Sequence, residues 1–168
     1  MYGGLEDACT IYRDPHAGGR TWTRSQRALG AWLVSLAKPA GLMADNDHRA
    51  RLLLDACRAV KLSVPDEVAV IGVDNDELLC QLSTPLLSSV EQGSRIIGYE
   101  AAALLDRVMS GQKPRIRKRV VDPVGVVARD STYTLAIDDT RVAEAMRYIS
   151  GHVFEQMELA GVRETAAI

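Results

Sequence analysis

Two short acidic loops carry the chemistry that this sequence offers. Asp45-Asn46-Asp47 follows the apolar run Ala40–Ala44, and Asp74-Asn75-Asp76 follows Val68–Val73. Both runs read as buried strands, and the second is continuous and β-branched, as in a parallel strand covered on both faces. In an open parallel sheet, ligands bind outside the carboxyl ends of the strands, so the two loops are expected at one edge. Their carboxylates and carboxamides supply acceptors and donors that can bridge neighbouring hydroxyls. A hydrogen bond to a charged group contributes about 1.5–3 kcal/mol, against about 1 for a neutral pair. This set suits a sugar or polyol. A phosphate would want glycines and free helix N–H groups without acids crowding them. The same residues also have a local structural use: Asp47 can cap the helix that follows it, and Asp74-Asn75 can form an Asx turn. The two uses are compatible, since a capping carboxylate keeps a second oxygen.

Other candidates are weaker. Trp22, just before the first predicted helix, can stack on a sugar face or serve as a half-buried prop. Lys113–Arg119 has five basic residues in seven. It can touch phosphates, but it lacks interleaved aromatics and a helical pattern, and it reads as a solvated loop and edge strand. No residue is assigned to DNA binding. There is no nucleophile–base pair, no GxSxG, no HExxH and no phosphate-binding glycine loop. Asp47, Asp74 and Asp76 leave one enzymatic alternative, a small Mg-dependent α/β enzyme, for which no Lys or Arg clamp can be placed. Cys9, Cys57 and Cys80 are odd in number and have no metal-ligand spacing, so they read as free thiols in a reducing compartment. His16, His48 and His152 are scattered. No metal site and no cofactor is implied.

The elements that must position these loops follow from periodicity. A helix is predicted over residues 23–37, capped by Thr23, with Ala28, Leu29, Trp32, Leu33 and Leu36 on one face and Pro39 as its stop. A second helix runs over Asp47–Val60, with Leu53, Leu54, Cys57 and Val60 as its stripe. A short one covers Glu77–Leu82, and residues 85–90 read as extended. A long helix over Ser94–Met109 has Ile97, Ala101, Leu104, Leu105 and Val108 as its face for burial. Val124–Ala128 is a further strand. Asp138 or Asp139 caps a last helix bearing Val142, Ala145, Met146 and Ile149. Residues 1–22 read mostly as loop, with one short strand at Thr10–Tyr12. Alternating strands and helices predict an α/β architecture with a parallel sheet.

Composition agrees. A chain of 168 residues suits one domain with an appendage. Hydrophobic residues at 47% and charged residues at 25% exclude disorder of the whole chain. Twenty Lys and Arg against 22 Asp and Glu give a net charge of −2, which excludes a strongly basic nucleic-acid protein. No apolar run is long enough for a membrane span, and the first residues lack the apolar core of a secretory signal. A cytoplasmic location is the default expectation.

The stretch from Lys38 to Gly111 resembles the effector-binding domain of LacI-type transcription regulators. Its narrower markers are Val73-Asp-Asn-Asp-Glu-Leu-Leu-Cys80, Pro85-Leu-Leu-Ser-Ser-Val90 and Gly125-Val-Val-Ala-Arg129, followed by Ser131-Thr132 and Leu135-Ala-Ile-Asp-Asp139. On these markers the chain resembles the xylose-operon (XylR-type) regulators over about residues 22–152. In that family a periplasmic-binding-protein-like sensor precedes an AraC-type DNA-binding domain. The resemblance implies a parallel-sheet lobe of a LacI-type effector domain with a C-terminal helix. Residues 1–22 are then a poorly defined N-terminal segment, 23–137 the second lobe of the sensor, and 138–168 the start of a truncated AraC-type domain. It also implies a sugar-responsive transcription regulator rather than an enzyme. The sugar would be a pentose such as D-xylose, DNA would bind through the domain beyond, and the protein would be a homodimer. Asp47 and Asp74 match the positions that bind sugar hydroxyls, and Asn46 flanks the first. Asp45 departs from the pattern, standing where relatives often have a small residue or Cys. On this resemblance, the family's first lobe and complete helix-turn-helix motifs are expected to have no counterpart in these 168 residues. The apolar face of 94–109 is therefore expected to lack its partner, or to drive dimerisation.

Overall fold

A computed structural model describes residues 9–13, 22–112, 118–133, 140–151 and 159–165. The chain divides into two compact units, Met1–Tyr133 and Thr134–Ile168. The first contains α1 (Trp22–Ser35), β1 (Ala40–Met43), α2 (Asp47–Ala59), β2 (Val68–Val73), α3 (Glu77–Leu82), β3 (Ser88–Glu91), α4 (Ser94–Met109), β4 (Gly125–Val127) and a 3-10 turn at Asp130–Thr132. In the second, α5 (Thr140–Gly151) packs on α6 (Leu159–Thr165).

The sheet order is β1-β2-β3-β4. β1, β2 and β3 are parallel, as the strand–helix alternation requires. β4 departs from this and runs antiparallel to β3, with Val90 opposite Val126. The chain comes back from α4 towards the open edge of β3, and Val124 N donates to Glu91 O at 2.8 Å as the ladder begins. The core lies on one face of the sheet. It joins Leu33 of α1, Leu54 and Cys57 of α2, Val68 and Val70 of β2, Cys80 of α3, and Leu87. β2 alternates buried and half-buried residues. Its second face is less covered than the continuous apolar run predicts, because no helix among the described residues packs there to bury it, and neighbouring Met43 is 67% exposed.

Local chemistry sets the element ends. α1 begins at Trp22, so this residue stands in the first helical turn rather than in a preceding loop. Lys38 Nζ closes the other end by donating to Leu33 O and Leu36 O at 2.6 and 2.8 Å. The cap of α2 is Asn46, whose Oδ1 accepts from Arg49 N at 2.8 Å. Asp47 is thus released from the capping role that its sequence position suggested. Asp76 caps α3, accepting from Leu79 N at 3.0 Å. Thr10–Tyr12 forms no strand; instead Tyr12 packs its ring on Trp32, with centroids 4.7 Å apart. The long helix α4 has the predicted boundaries but no buried residue. The expected caps Asp138 and Asp139, residues 113–117 of the basic run, His16 and His152 lie outside the described residues. No helix among the described residues is long and apolar enough to cross a membrane.

Candidate functional site

The parallel pairing of β1 and β2 decides where the two acidic loops go. Met43 pairs with Ile71, and Ala44 N donates to Ile71 O at 2.9 Å. Both strands therefore deliver their carboxyl ends, and the loops Asp45–Asp47 and Asp74–Asp76, to the same edge. β3 ends beside them with Glu91 and Gln92.

Asp47 lies beneath that rim and is only 1% exposed. Its Oδ1 accepts from Ser89 Oγ at 2.5 Å. Its Oδ2 accepts from Asp76 N at 2.7 Å and from Cys80 Sγ at 3.6 Å. A buried carboxylate without donors would be strongly unfavourable, and here a hydroxyl, an amide and a thiol meet it. Its space comes from β2: a Cβ added at Gly72 would collide with Asp47 Oδ1. This placement differs from the expected direct contact between Asp47 and a ligand. The carboxylate faces the protein interior, so it holds the rim from below.

Asp74 does stand on the rim, exposed. Its φ is 112° and that of Asn75 is 54°, values that residues with a Cβ adopt rarely. The turn is pinned on several sides. Asp74 N donates to Val90 O at 3.0 Å, and Gln92 Nε2 donates to Asp74 Oδ1. Asn75 N donates to Ser89 Oγ at 3.0 Å, and Asn75 Oδ1 accepts from Arg129 Nη2 at 2.9 Å. A groove of about 340 Å³ opens next to the turn, lined by Asp74, Asn75, Glu91, Ser94, Arg95 and Val124 among others. Asn46 is half-buried at the start of α2 on the same edge.

Burial, then the nearby Asp47 carboxylate, push the Cys80 thiol up to about 11. Burial likewise raises Cys57 to about 11. Both are unreactive core thiols rather than nucleophiles. Among the described residues, no group of three or more His, Cys, Asp or Glu could hold a metal ion. The three aspartates of the enzymatic alternative have separate uses: Asp47 is buried, Asp76 caps α3, and Asp74 pairs with Gln92.

Sequence reading missed Ser89, Gln92 and Arg129. Gln92 had a legible sign, since it follows β3 as the Asx loops follow β1 and β2. Arg129 had none, because 54 residues separate it from Asn75 and only the fold joins them.

A periplasmic-binding-protein-like domain matches residues 3–132. The chain belongs to that family. Several transcription regulators are similar to it. The xylose operon regulatory protein of Haemophilus influenzae is 40% identical over 152 residues, covering 90% of this chain and 39% of that protein. That of Escherichia coli K12 is 35% identical over 158 residues, covering 94% and 40%. Among solved structures, the xylose-binding transcription activator xylR is similar with a TM-score of 0.73 and 35% identity, covering 94% of this chain and 42% of that one. A LacI-family regulator from Arthrobacter in complex with lactose is similar at a TM-score of 0.56 and 30% identity, covering 68% and 42%. The chain thus spans about two fifths of the length of these relatives. They are transcription regulators, not enzymes.

Proposed function

We propose that this chain is the sugar-binding lobe of a transcription regulator of the xylose-operon type. The observation that carries this reading is Asp74. It stands exposed at the carboxyl end of β2 in a left-handed turn, paired with Gln92, on the edge that also receives the Asn46 loop. Such an array of a carboxylate beside carboxamides suits vicinal hydroxyls. Asp74 accepts from sugar hydroxyls, Asn46 and Gln92 bridge neighbouring ones, and Trp22 stacks on the ring. Asp47 contributes by holding the rim from beneath. The ligand is a pentose such as D-xylose, a choice supported by the names of the similar regulators.

The whole protein works in the cytoplasm, binds DNA through an AraC-type domain that residues 138–168 begin, and acts as a homodimer. Sugar favours one arrangement of its two lobes and so shifts an existing equilibrium. No bond is made or broken in the ligand.

The test is a calorimetric titration of the chain with D-xylose, other pentoses and hexoses, with Asp74→Ala alongside. Half a cleft binds weakly, since only the surplus over the cost of association appears as affinity. Saturable pentose binding that Asp74→Ala abolishes is the expected result. Equal heats from both proteins would remove Asp74 from the site, and no heat with any sugar would mean that this lobe does not carry recognition by itself.

A second reading concerns association. Most apolar residues of α4 are exposed, Ile97 among them, and Leu104 is half-buried. Two copies meeting through Ile97 and Leu104 would appear as a concentration-dependent dimer in sedimentation.

A further inference from the structure

The segment that ends the sheet also reaches the rim. Arg129 follows β4, yet its guanidinium turns back to β2 and β3. Nη2 donates to Asn75 Oδ1 at 2.9 Å, and Nη1 to Leu87 O at 2.8 Å. The backbone of Arg129 is fixed as well: its N–H donates to Ser88 Oγ at 2.7 Å, and its carbonyl accepts from the same hydroxyl at 3.0 Å. Ser131 adds a buried anchor, donating to Val70 O at 2.6 Å and accepting from Ser88 N at 2.8 Å. The arginine is therefore held at its base while its head spans the start of β3 and the end of β2.

What the head grips is a strained turn. Asp74 and Asn75 both have positive φ, and such conformations persist in residues with side chains only where the surroundings enforce them. Ser89 takes the Asn75 amide, and Arg129 takes its side chain. The arginine contact is the only charge-assisted one at Asn75 among the bonds just described, and its planar fork satisfies two acceptors at once.

We propose that Arg129 is a positioning residue for ligand binding: through Asn75 it keeps the Asp74–Asn75 turn left-handed and so presents the Asp74 carboxylate to the groove. This rests on the reading of Asp74 as a ligand contact. Arg129 itself touches no ligand. A lysine would keep the charge but lacks the fork that joins Asn75 Oδ1 to Leu87 O.

The experiment uses the 168-residue chain with Arg129→Ala, Arg129→Lys, Asn75→Gly and the double change Arg129→Ala with Asn75→Gly. Amide hydrogen exchange, followed by NMR without ligand, reads the turn directly. In Arg129→Ala the amides of Asn75 and Asp76 are expected to exchange about tenfold faster, from the loss of a charge-assisted bond, while those of β2 keep their rates. Arg129→Lys should behave like Arg129→Ala at Asn75. D-xylose titration supplies the second readout. Affinity lost in Arg129→Ala should return in the double variant, because glycine adopts positive φ without help. Faster exchange spread evenly over β2 and β3, or no recovery in the double variant, would overturn the proposal by showing a merely structural arginine. Absence of sugar heat from the unaltered chain would mean that this lobe does not carry recognition by itself, and the exchange pattern then decides alone whether Arg129 holds the turn.

Discussion

α2 and α4 begin from similar sequence patterns and end in different surroundings. Each is amphipathic, and each follows a strand of the same sheet. α2 buries Asp47, Ala50, Leu54, Ala56 and Cys57, because β2 lies against it and α1 covers its flank. α4 buries nothing, and Ile96, Tyr99, Leu105, Val108 and Met109 remain exposed. Periodicity reports that a helical face is suited to cover. It does not say which surface provides it. Only α2 finds that surface within the described residues. Both helices reach the site with their first turns: α2 through Asn46 at its cap and Asp47 beneath the rim, α4 through Ser94 and Arg95 beside the groove.

The comparison can be broken most forcefully on the α2 side. Leu54 is 2% exposed, and Leu54→Ala should lower stability by about 2–5 kcal/mol through lost burial and a residual cavity. Urea unfolding measures this, and a change within error would mean that α2 is no better packed than α4. Gly72→Ala comes next, at about 1–3 kcal/mol from overpacking, since its Cβ would strike the Asp47 carboxylate. Gly41 offers the control, with no atom within 4 Å of an added Cβ, so Gly41→Ala should leave the urea midpoint nearly unchanged.

A pH prediction sharpens the contrast. Cys57 of α2 and Cys80 of α3 are raised from 9.0 to about 11 in the folded chain. Above pH 9 the unfolded chain loses these protons while the folded chain keeps them. Stability should then fall as pH rises from 9 towards 11, and should not depend on these thiols below that window. Replacing both cysteines with alanine should flatten that part of the stability–pH curve. The smallest effect belongs to α4. Leu105 is 59% exposed, and Leu105→Glu should change stability by no more than about 0.5 kcal/mol. A larger loss in dilute solution would show that α4 is covered after all.

Much of the fold was legible because it depends on local periodicity. The boundaries of β2, α3 and α4 follow from where apolar spacing begins and where Asp, Gly and Pro interrupt it. The placement of two Asx loops on one edge was also legible, since parallel strands must present their carboxyl ends together. The division of labour within those loops was not. Asn46 rather than Asp47 caps α2, because the cap is decided by which side chain lies at the non-helical residue. Asp47, one residue on, is turned into the sheet.

The sequence alone determined the α/β order, the acidic ends of β1 and β2, and the resemblance to LacI-type sensors, all properties of neighbours along the chain. The tertiary structure decided the antiparallel β4, the burial of Asp47 under Gly72, and the reach of Arg129 to Asn75. Those features join residues 25 to 54 positions apart, and a local pattern carries no record of such pairs. They exist only once packing has brought the donors and acceptors together and excluded the water that would otherwise satisfy them.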